Sequence, residues 1–415
     1  MGTTGRIVVQ KFGGTSVADA SGRAALASCV AATIASQARP VVVVSAMGRA
    51  GAPYSTDTLL ALLDGMTPDA RERDLLASCG EVVSAVVVAH GLRAHGVPAR
   101  AFTGAAAGIL TDASHGDATV IAVDPAPLSA AVAAGLVPVV AGFQGTSADG
   151  EVTTLGRGGS DTTACAIGAA LHADSVEIHT DVEGVMTADP RSCAEARVLS
   201  AVEFEELFQM ARHGAKIVHA PAARIAMEAG VPVWVRDPRS SAPGTLVSRA
   251  EEISARRGAS VATAVCDLDG VARISVALPS ESAGAAYMDA QARVFRAMAD
   301  AGLSLDMFTP CKNDLVFTVC EADMESAGGM LEALGFPYGI EPGLAKVTLV
   351  GGGMHGVPGV MARVVEALAA ADVSILQSAD SHTTISVLVC QNDRRAAVAA
   401  LHEAFGLAEG GNDDA

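Results

Sequence analysis

The chain is short of the residues that build stapled or metal-clasped centres. Its eight cysteines (Cys29, Cys79, Cys165, Cys193, Cys266, Cys311, Cys320 and Cys390) never stand as Cys-x-x-Cys. That argues against a zinc cluster and against a disulfide framework, and leaves buried free thiols as the expectation. His90 and His95 are five apart, off the spacing that puts two metal ligands on one helix face. No Lys/Arg-rich run occurs, and 28 basic against 46 acidic residues give a net charge of -18, so nucleic acid and acidic membrane are poor partners. Apolar stretches such as Pro40 to Ser45 are far too short to cross a bilayer, and the N-terminus has no charged-then-apolar leader pattern. A cytoplasmic protein is expected. Neither a GxxxxGK[ST] phosphate loop nor an HRD kinase set is present.

What the chain does have is apolar material punctuated by glycine-rich turns. With 415 residues, 50% of them hydrophobic and 18% charged, it can bury a large core and should divide into two or three domains. From residue 6 to about 248, short β-branched runs (at Val41, Val137, Val176 and Val231) alternate with Ala-rich helical stretches. That order implies an α/β fold with a largely parallel sheet between helices, and ligands at the carboxyl ends of its strands. The loops that should emerge there are KFGG, SAMG, GFQG and GRGGSD. In VVQKFGGTSVAD, Val8 to Asp19, the apolar run reads as a buried strand, Gly13 and Gly14 allow a sharp turn and close approach, and Lys11 adds a positive charge. This is the outline of a phosphate cradle. A lone K-x-G-G more often marks an ordinary strand-to-helix turn.

After Pro243-Gly244 and a charged stretch from Arg249 to Arg257 the pattern changes to an internal repeat. ARVFRAMADAGLSLDMF from Ala292 and ARVVEALAAADVSILQS from Ala362 lie 70 residues apart, each a helix flanked by strands. The order strand-helix-strand-strand-helix describes a small split βαβ sandwich, present twice. Such pairs sense small molecules or dimerise more often than they catalyse.

The first region carries further chemistry. TTLGRGGSDTTA, Thr153 to Ala164, offers Arg157 as a planar fork for a carboxylate, Ser160 as a donor and Asp161 to orient lysines. HTDVEGVMTADPR follows the strand at Val176, which puts Thr180 and Asp181 at a strand end and leaves Arg191 available to phosphate. GAKIVH, Gly214 to His219, supplies Lys216. A basic glycine loop, a carboxylate fork and a second lysine on sheet-end loops describe phosphoryl transfer to a small acid.

Seven segments in order, VVQKFGGTSVA, SCGE, FTGAAAGILTD, VVAGFQG, GRGGSDTTA, TDVEGVMTADPR and GAKIVH, together resemble the aspartate kinases of the amino-acid kinase superfamily. The resemblance spans essentially the whole chain, since that family carries two C-terminal ACT domains. It implies an amino-acid kinase fold over 1–248, then two ferredoxin-like βαββαβ-type ACT domains over 262–340 and 344–415. The implied activity is transfer of the γ-phosphoryl of MgATP to the side-chain carboxylate of L-aspartate, giving 4-phospho-L-aspartate at the entry to lysine, diaminopimelate, threonine and methionine. ATP and Mg2+ are the implied cofactors, with metal ligands unassigned.

By the same resemblance, Lys11, Asp161 and Lys216 match catalytic positions. Lys11, Phe12, Gly13, Gly14, Thr180, Asp181, Met186, Arg191, Lys216 and Ile217 match nucleotide-contacting ones. Ser45, Thr56, Glu81, Arg157 and Ser160 match those that hold aspartate, with Arg157 on the α-carboxylate and Glu81 on the ammonium. A carboxylate acceptor is already ionised at pH 7 and needs no general base.

The chain departs from the family pattern in places. GRAGAPYSTDTL replaces a short threonine-rich run before Thr56, Met186 stands where a tyrosine often contacts nucleotide, and HAP at His219 replaces HP. The first ACT copy lacks the Pro-Gly loop and reads TPCKND where the effector stretch belongs, while QSADSHTT in the second resembles the diaminopimelate-responsive branch. Two other readings stay open: a kinase for glutamate or acetylglutamate, and a non-catalytic amino-acid sensor. Paired ACT copies leave sheet edges for a second chain, so a homodimer or higher homo-oligomer is expected, with any amino-acid effector bound at the ACT domains.

Overall fold

The computed structural model describes residues 5–215, 218–253, 261–279, 284–354 and 356–409. The chain separates into two compact units, one formed by residues 1–185, 198–211 and 216–258, the other by 186–197, 212–215 and 259–415.

The first unit is organised by an eight-stranded sheet. Ile7–Phe12 lies at its centre, parallel to Arg39–Val44 on one side and Ser175–His179 on the other. Val137–Ala141 and Ala99–Phe102 extend one flank, both parallel, and Val233–Arg236 extends the other. Thr245–Ser248 runs antiparallel to Val233–Arg236, and Ala201–Glu203 pairs parallel with Thr245–Ser248, so these last two strands run against the other six. Valine runs suit the middle of such a sheet because β-branched side chains pack on a surface buried from both sides. Val41, Val42, Val43 and Val44 are accordingly all 0% exposed. Phe12, Val44, Ala141 and His179 end their strands in register, so four loops leave the sheet at one edge.

The sequence reading treats GFQG as a loop only, yet Gln144–Thr146 is a strand of a second, four-stranded sheet with Ile109–Thr111, Val120–Val123 and Val152–Thr154. Helix Ala70–Ala94, capped by Asp69, packs Val88, Ala89 and Leu92 into the core beside Val42, Val139 and Leu26. By length and composition it is apolar enough to cross a membrane. Its buried face holds Asp74, Ser78, Glu81 and Ser84, which is the pattern of a core helix serving a polar site.

The second unit has a six-stranded antiparallel sheet, ordered Asp306–Pro310, Asp314–Cys320, Ala264–Ala277, Tyr338–Val350, Thr384–Cys390, Gln377–Asp380. The repeat appears in three dimensions: Val294 and Val364, then Met298 and Leu368, are 70-residue equivalents and all fully buried. Two cores result, one under helices Ala285–Asp300 and Met324–Leu334, the other under Val360–Ala370 and Arg394–Ala404. Ala264–Ala277 and Tyr338–Val350 are shared. Residues Ala264 to Leu268 pair with Lys346 to Val350 beside the second core, while Val271 to Ala277 pair with Asp314–Cys320 beside the first. Part of SESAGAAYMDAQARVF, residues 280–283, lies outside the described residues.

Candidate active site

The four loops at the strand ends are locked by close backbone approaches. A Cβ on Gly14 would lie 2.5 Å from Ala46 O and 2.8 Å from Gly48 O, so only glycine lets the KFGG loop lie against the SAMG loop. Gly48 N donates to Gly14 O and Ser45 N to Phe12 O, which carries Ser45 to the sheet edge through its backbone. Strand alternation then separates two neighbours. Phe12 turns into the core, where its ring stacks on His179 at 4.4 Å; Lys11 reaches Asp161, Nζ to Oδ1 2.7 Å, with both side chains 12% exposed.

Asp161 sits in the first turn of helix Gly159–Ala170. The helix is entered through Gly158 at φ +71°, where a Cβ would fall 2.3 Å from the His219 ring. That ring begins helix Ala220–Ala229, so the HAP variation keeps its cap position. Ser160 is buried beneath Gly142, whose added Cβ would meet Ser160 Oγ at 2.8 Å. Arg157, in the turn before this helix, is exposed.

Glu81 is the buried carboxyl of the group, 3% exposed. Its Oε1 accepts from Ala46 N at 3.0 Å, and Oε2 has no hydrogen-bond partner. Burial pushes the carboxyl up to about 7, against the lowering effect of the Ala46 bond. Gly80 next to it presses on Tyr54 O, which seats residues 52–60 over this helix. Thr56 opens helix Thr56–Leu60 in that segment, behind the Ser55 cap.

At the other side, Thr180 N donates to Arg236 O and Thr180 Oγ1 to Asp181 at 3.3 Å. Asp181 pairs with Arg49 at 2.6 Å, joining the loop after SAMG to the end of Ser175–His179. Arg49 was not anticipated; a base directly behind a glycine loop was the available signal. Nor was the layer below: Glu177 takes hydrogen bonds from Gln10 (2.8 Å) and His179 (3.2 Å) and pairs with Arg236 (3.4 Å). Burial alone would raise Glu177, but these partners hold it below the usual carboxylate range.

Met186 and Arg191 belong to residues 186–197 of the second unit, where Thr187 Oγ1 bonds His402 Nε2 at 2.8 Å. Arg191 is not a free cation: its guanidinium grips Asp189 in a fork, with Nη2 to Oδ2 2.6 Å. Lys216 and Ile217 lie outside the described residues. Lys11, Gly13, Gly14, Ser45, Glu81, Ser160 and Asp161 are therefore brought together, with Thr180 and Asp181 on the adjoining strand end.

Comparison with known proteins gives consistent matches. The model of the Amino acid kinase family fits residues 6–237, and that of the ACT domain fits residues 339–403. Aspartokinase 1 of Bacillus subtilis is 45% identical over 407 residues, covering 97% of this chain and 100% of that protein. The aspartokinase of Mycolicibacterium smegmatis is 41% identical over 425 residues, covering 99% and 98%. Among solved structures, E. coli aspartokinase III in complex with aspartate and ADP (R-state) superposes with a TM-score of 0.76 at 26% identity, over 96% of this chain and 99% of that one. Aspartate kinase of Clostridium acetobutylicum gives 0.80 at 22% identity over 96% and 100%, a likeness of fold.

Proposed function

We infer the division of labour at this site from one premise: the chain belongs to the aspartokinases, within the amino acid kinase family. It transfers the γ-phosphoryl group of ATP to the side-chain carboxylate of L-aspartate, giving 4-phospho-L-aspartate. Two anions must meet in that step, so cations have to spread the phosphate charge while the acceptor oxygen is held in line. Lys11 supplies the charge at the moving phosphoryl, and Asp161 holds its ammonium in place. Arg157 grips the α-carboxylate with two parallel N–H donors, and Glu81 receives the ammonium. Ser45, Thr56 and Ser160 surround the rest of the amino acid. Phe12 supports the nucleotide loop from the core, and the nucleotide lies along Lys11, Gly13, Gly14, Thr180 and Asp181. Met186, Arg191, Lys216 and Ile217 are further nucleotide contacts in our assignment, made from the sequence pattern alone.

The observation that carries this reading is the buried, unpartnered Oε2 of Glu81 beside the SAMG and KFGG loops. An ammonium placed there gives the carboxylate the counter-charge it lacks, which favours a free amino acid over an N-acetylated one. Trapping the acyl phosphate with hydroxylamine while offering aspartate, glutamate and acetylglutamate in turn tests it. Turnover with aspartate alone is expected; preference for acetylglutamate would overturn the role of Glu81.

Mg2+ enters as part of MgATP. Among the described residues no group of three His, Cys, Asp or Glu side chains could hold a metal ion. We divide the chain into a catalytic domain at 1–248 and two ACT domains at 262–340 and 344–415, bearing in mind the two shared strands. We further assign a cytoplasmic homodimer or higher homo-oligomer formed through the ACT domains. E. coli aspartokinase III is known in complex with lysine and aspartate (T-state). Here TPCKND and the missing Pro-Gly loop argue for weak or absent inhibition by lysine or threonine alone, with diaminopimelate the best candidate if any effector acts. Strong inhibition by micromolar lysine at limiting aspartate would reverse that assignment.

A further inference from the structure

One buried carboxylate in the first unit has no part in the chemistry just described. Asp74 is 2% exposed on helix Ala70–Ala94 and makes four hydrogen bonds. Its Oδ2 accepts from His115 Nδ1 (3.0 Å), Gly116 N (3.1 Å) and Thr154 N (2.9 Å), and its Oδ1 accepts from Thr154 Oγ1 (2.6 Å). Since the carboxylate only accepts, His115 Nδ1 is the donor, which fixes that ring's tautomer when it is neutral.

The position of this cluster gives it a use. Asp74 precedes Glu81 by seven residues on the same helix, two turns, so both side chains leave one face of it. Thr154 is the last residue of strand Val152–Thr154, and Arg157 follows three residues later. The turn between them leans on the same loop that Asp74 holds: Gly156 at φ +67° would put a Cβ 2.6 Å from Asp117 Oδ1. Ala118 N closes the contact by donating to Thr154 O at 2.8 Å. One carboxylate therefore ties the helix carrying Glu81, the loop from Ser114 to Ala118 and the strand end leading to Arg157.

We propose that Asp74 is a positioning residue for the amino-acid substrate: it sets the spacing between Glu81 on its own helix and Arg157 beyond Thr154, the two groups that grip the ammonium and the α-carboxylate. The proposal rests on that assignment of Glu81 and Arg157. The two ends of an α-amino acid are a fixed distance apart, so the sites that hold them must be fixed too. The nucleotide loop at Lys11 takes no hydrogen bond from this cluster. Loosening it should therefore be felt by one substrate only.

Asp74→Asn is the direct test, because one oxygen that accepts three N–H donors becomes an NH2 that faces them, or the Thr154 hydroxyl must turn. Steady-state kinetics on the full chain should show the Michaelis constant for aspartate rising about tenfold, the loss of a charge-assisted hydrogen bond, with that for ATP within about twofold. Should this variant fold poorly, Thr154→Val removes only the Oγ1 bond and should move the aspartate constant the same way by less. A fall in thermal stability or active fraction with both constants unchanged, or an equal rise in both, would assign Asp74 a merely structural role and overturn the proposal. Arg157→Lys measured alongside separates the premise: if it leaves the aspartate constant unmoved, the substrate assignment itself has failed, whatever Asp74→Asn does.

Discussion

The two units bury polar groups for different purposes. In the first, Glu81, Ser160 and Asp161 are buried close to the ends of parallel strands and Asp74 at the end of the antiparallel strand Val152–Thr154, and each faces a loop or a helix start rather than the sheet interior. In the second, the buried polar residues Thr318, Thr348, Thr384 and Ser386 are hydroxyls within the antiparallel sheet, as in the Thr348 to Ser386 contact of 2.9 Å, while the buried Lys346 pairs with Asp306 and His402 bonds Thr187. Hydroxyls of this kind satisfy one another and leave a frame that packs. Carboxyls near a sheet edge cost desolvation and persist where they orient something. Glu81 with one unbonded oxygen is the sharpest instance, because nothing in its own unit completes it.

That contrast is broken most directly at Lys11. Lys11→Ala removes one preorganised cation at the transferring phosphoryl and should lower kcat by about 10² to 10³, with the thermal transition kept. Unchanged turnover in a folded variant would remove Lys11 from the reaction. The matching change in the second unit is Leu331→Ala, at a fully buried position in the first ACT-like core. It should cost about 2–5 kcal/mol of stability and leave both Michaelis constants in place. A kinetic effect as large as that of Lys11→Ala would mean that the frame takes part in the chemistry.

Smaller in size is the effect expected at Arg157. Arg157→Lys keeps the charge but loses the fork, so the constant for aspartate should rise roughly tenfold while that for ATP stays near its value. A shift in the ATP constant alone would move the nucleotide to this loop.

The sequence made the fold legible where one physical rule decides the outcome. Runs such as Val41 to Val44 favour a doubly covered parallel strand, and the 70-residue repeat returns as paired buried positions at Val294 and Val364. What it did not reveal depends on distant partners. Nothing local says that Ala264–Ala277 bends past Asp269 and Gly270 to serve two cores, since that follows from register shifts against Tyr338–Val350. Arg191 is the exception, since its partner Asp189 is two residues away and the pair reads equally well as a phosphate ligand and its neighbour. Arg49, His179 and Asp74 escaped because their partners lie 132, 167 and 80 positions away in sequence or on a neighbouring strand. His179 is the clearest case, because its ring meets Phe12 only when the two strand ends stand side by side.

The smallest expected effect separates the two units by the sign of their response to pH. Glu81, in the first, is raised by burial from an ordinary value of 4.5 to about 7. The folded form then holds a proton that the unfolded chain has released, so its contribution is fully present below about 4.5 and is lost as pH rises through 7. His213, in the second, is lowered from 6.5 to about 4, first by burial and then by Lys346. The unfolded chain takes up a proton that the folded form refuses, so its contribution is present above about 6.5 and is lost as pH falls through 4. Glu81→Gln should therefore raise the thermal midpoint by a few degrees at pH 8 and by less at pH 5, while weakening aspartate binding at both. His213→Gln should do the reverse, gaining stability relative to the parent at pH 5 and little at pH 8. Calorimetry of the two variants at both pH values reads this directly, and slopes of the same sign would mean that the carboxyl and the imidazole do not answer to their burial as their positions require.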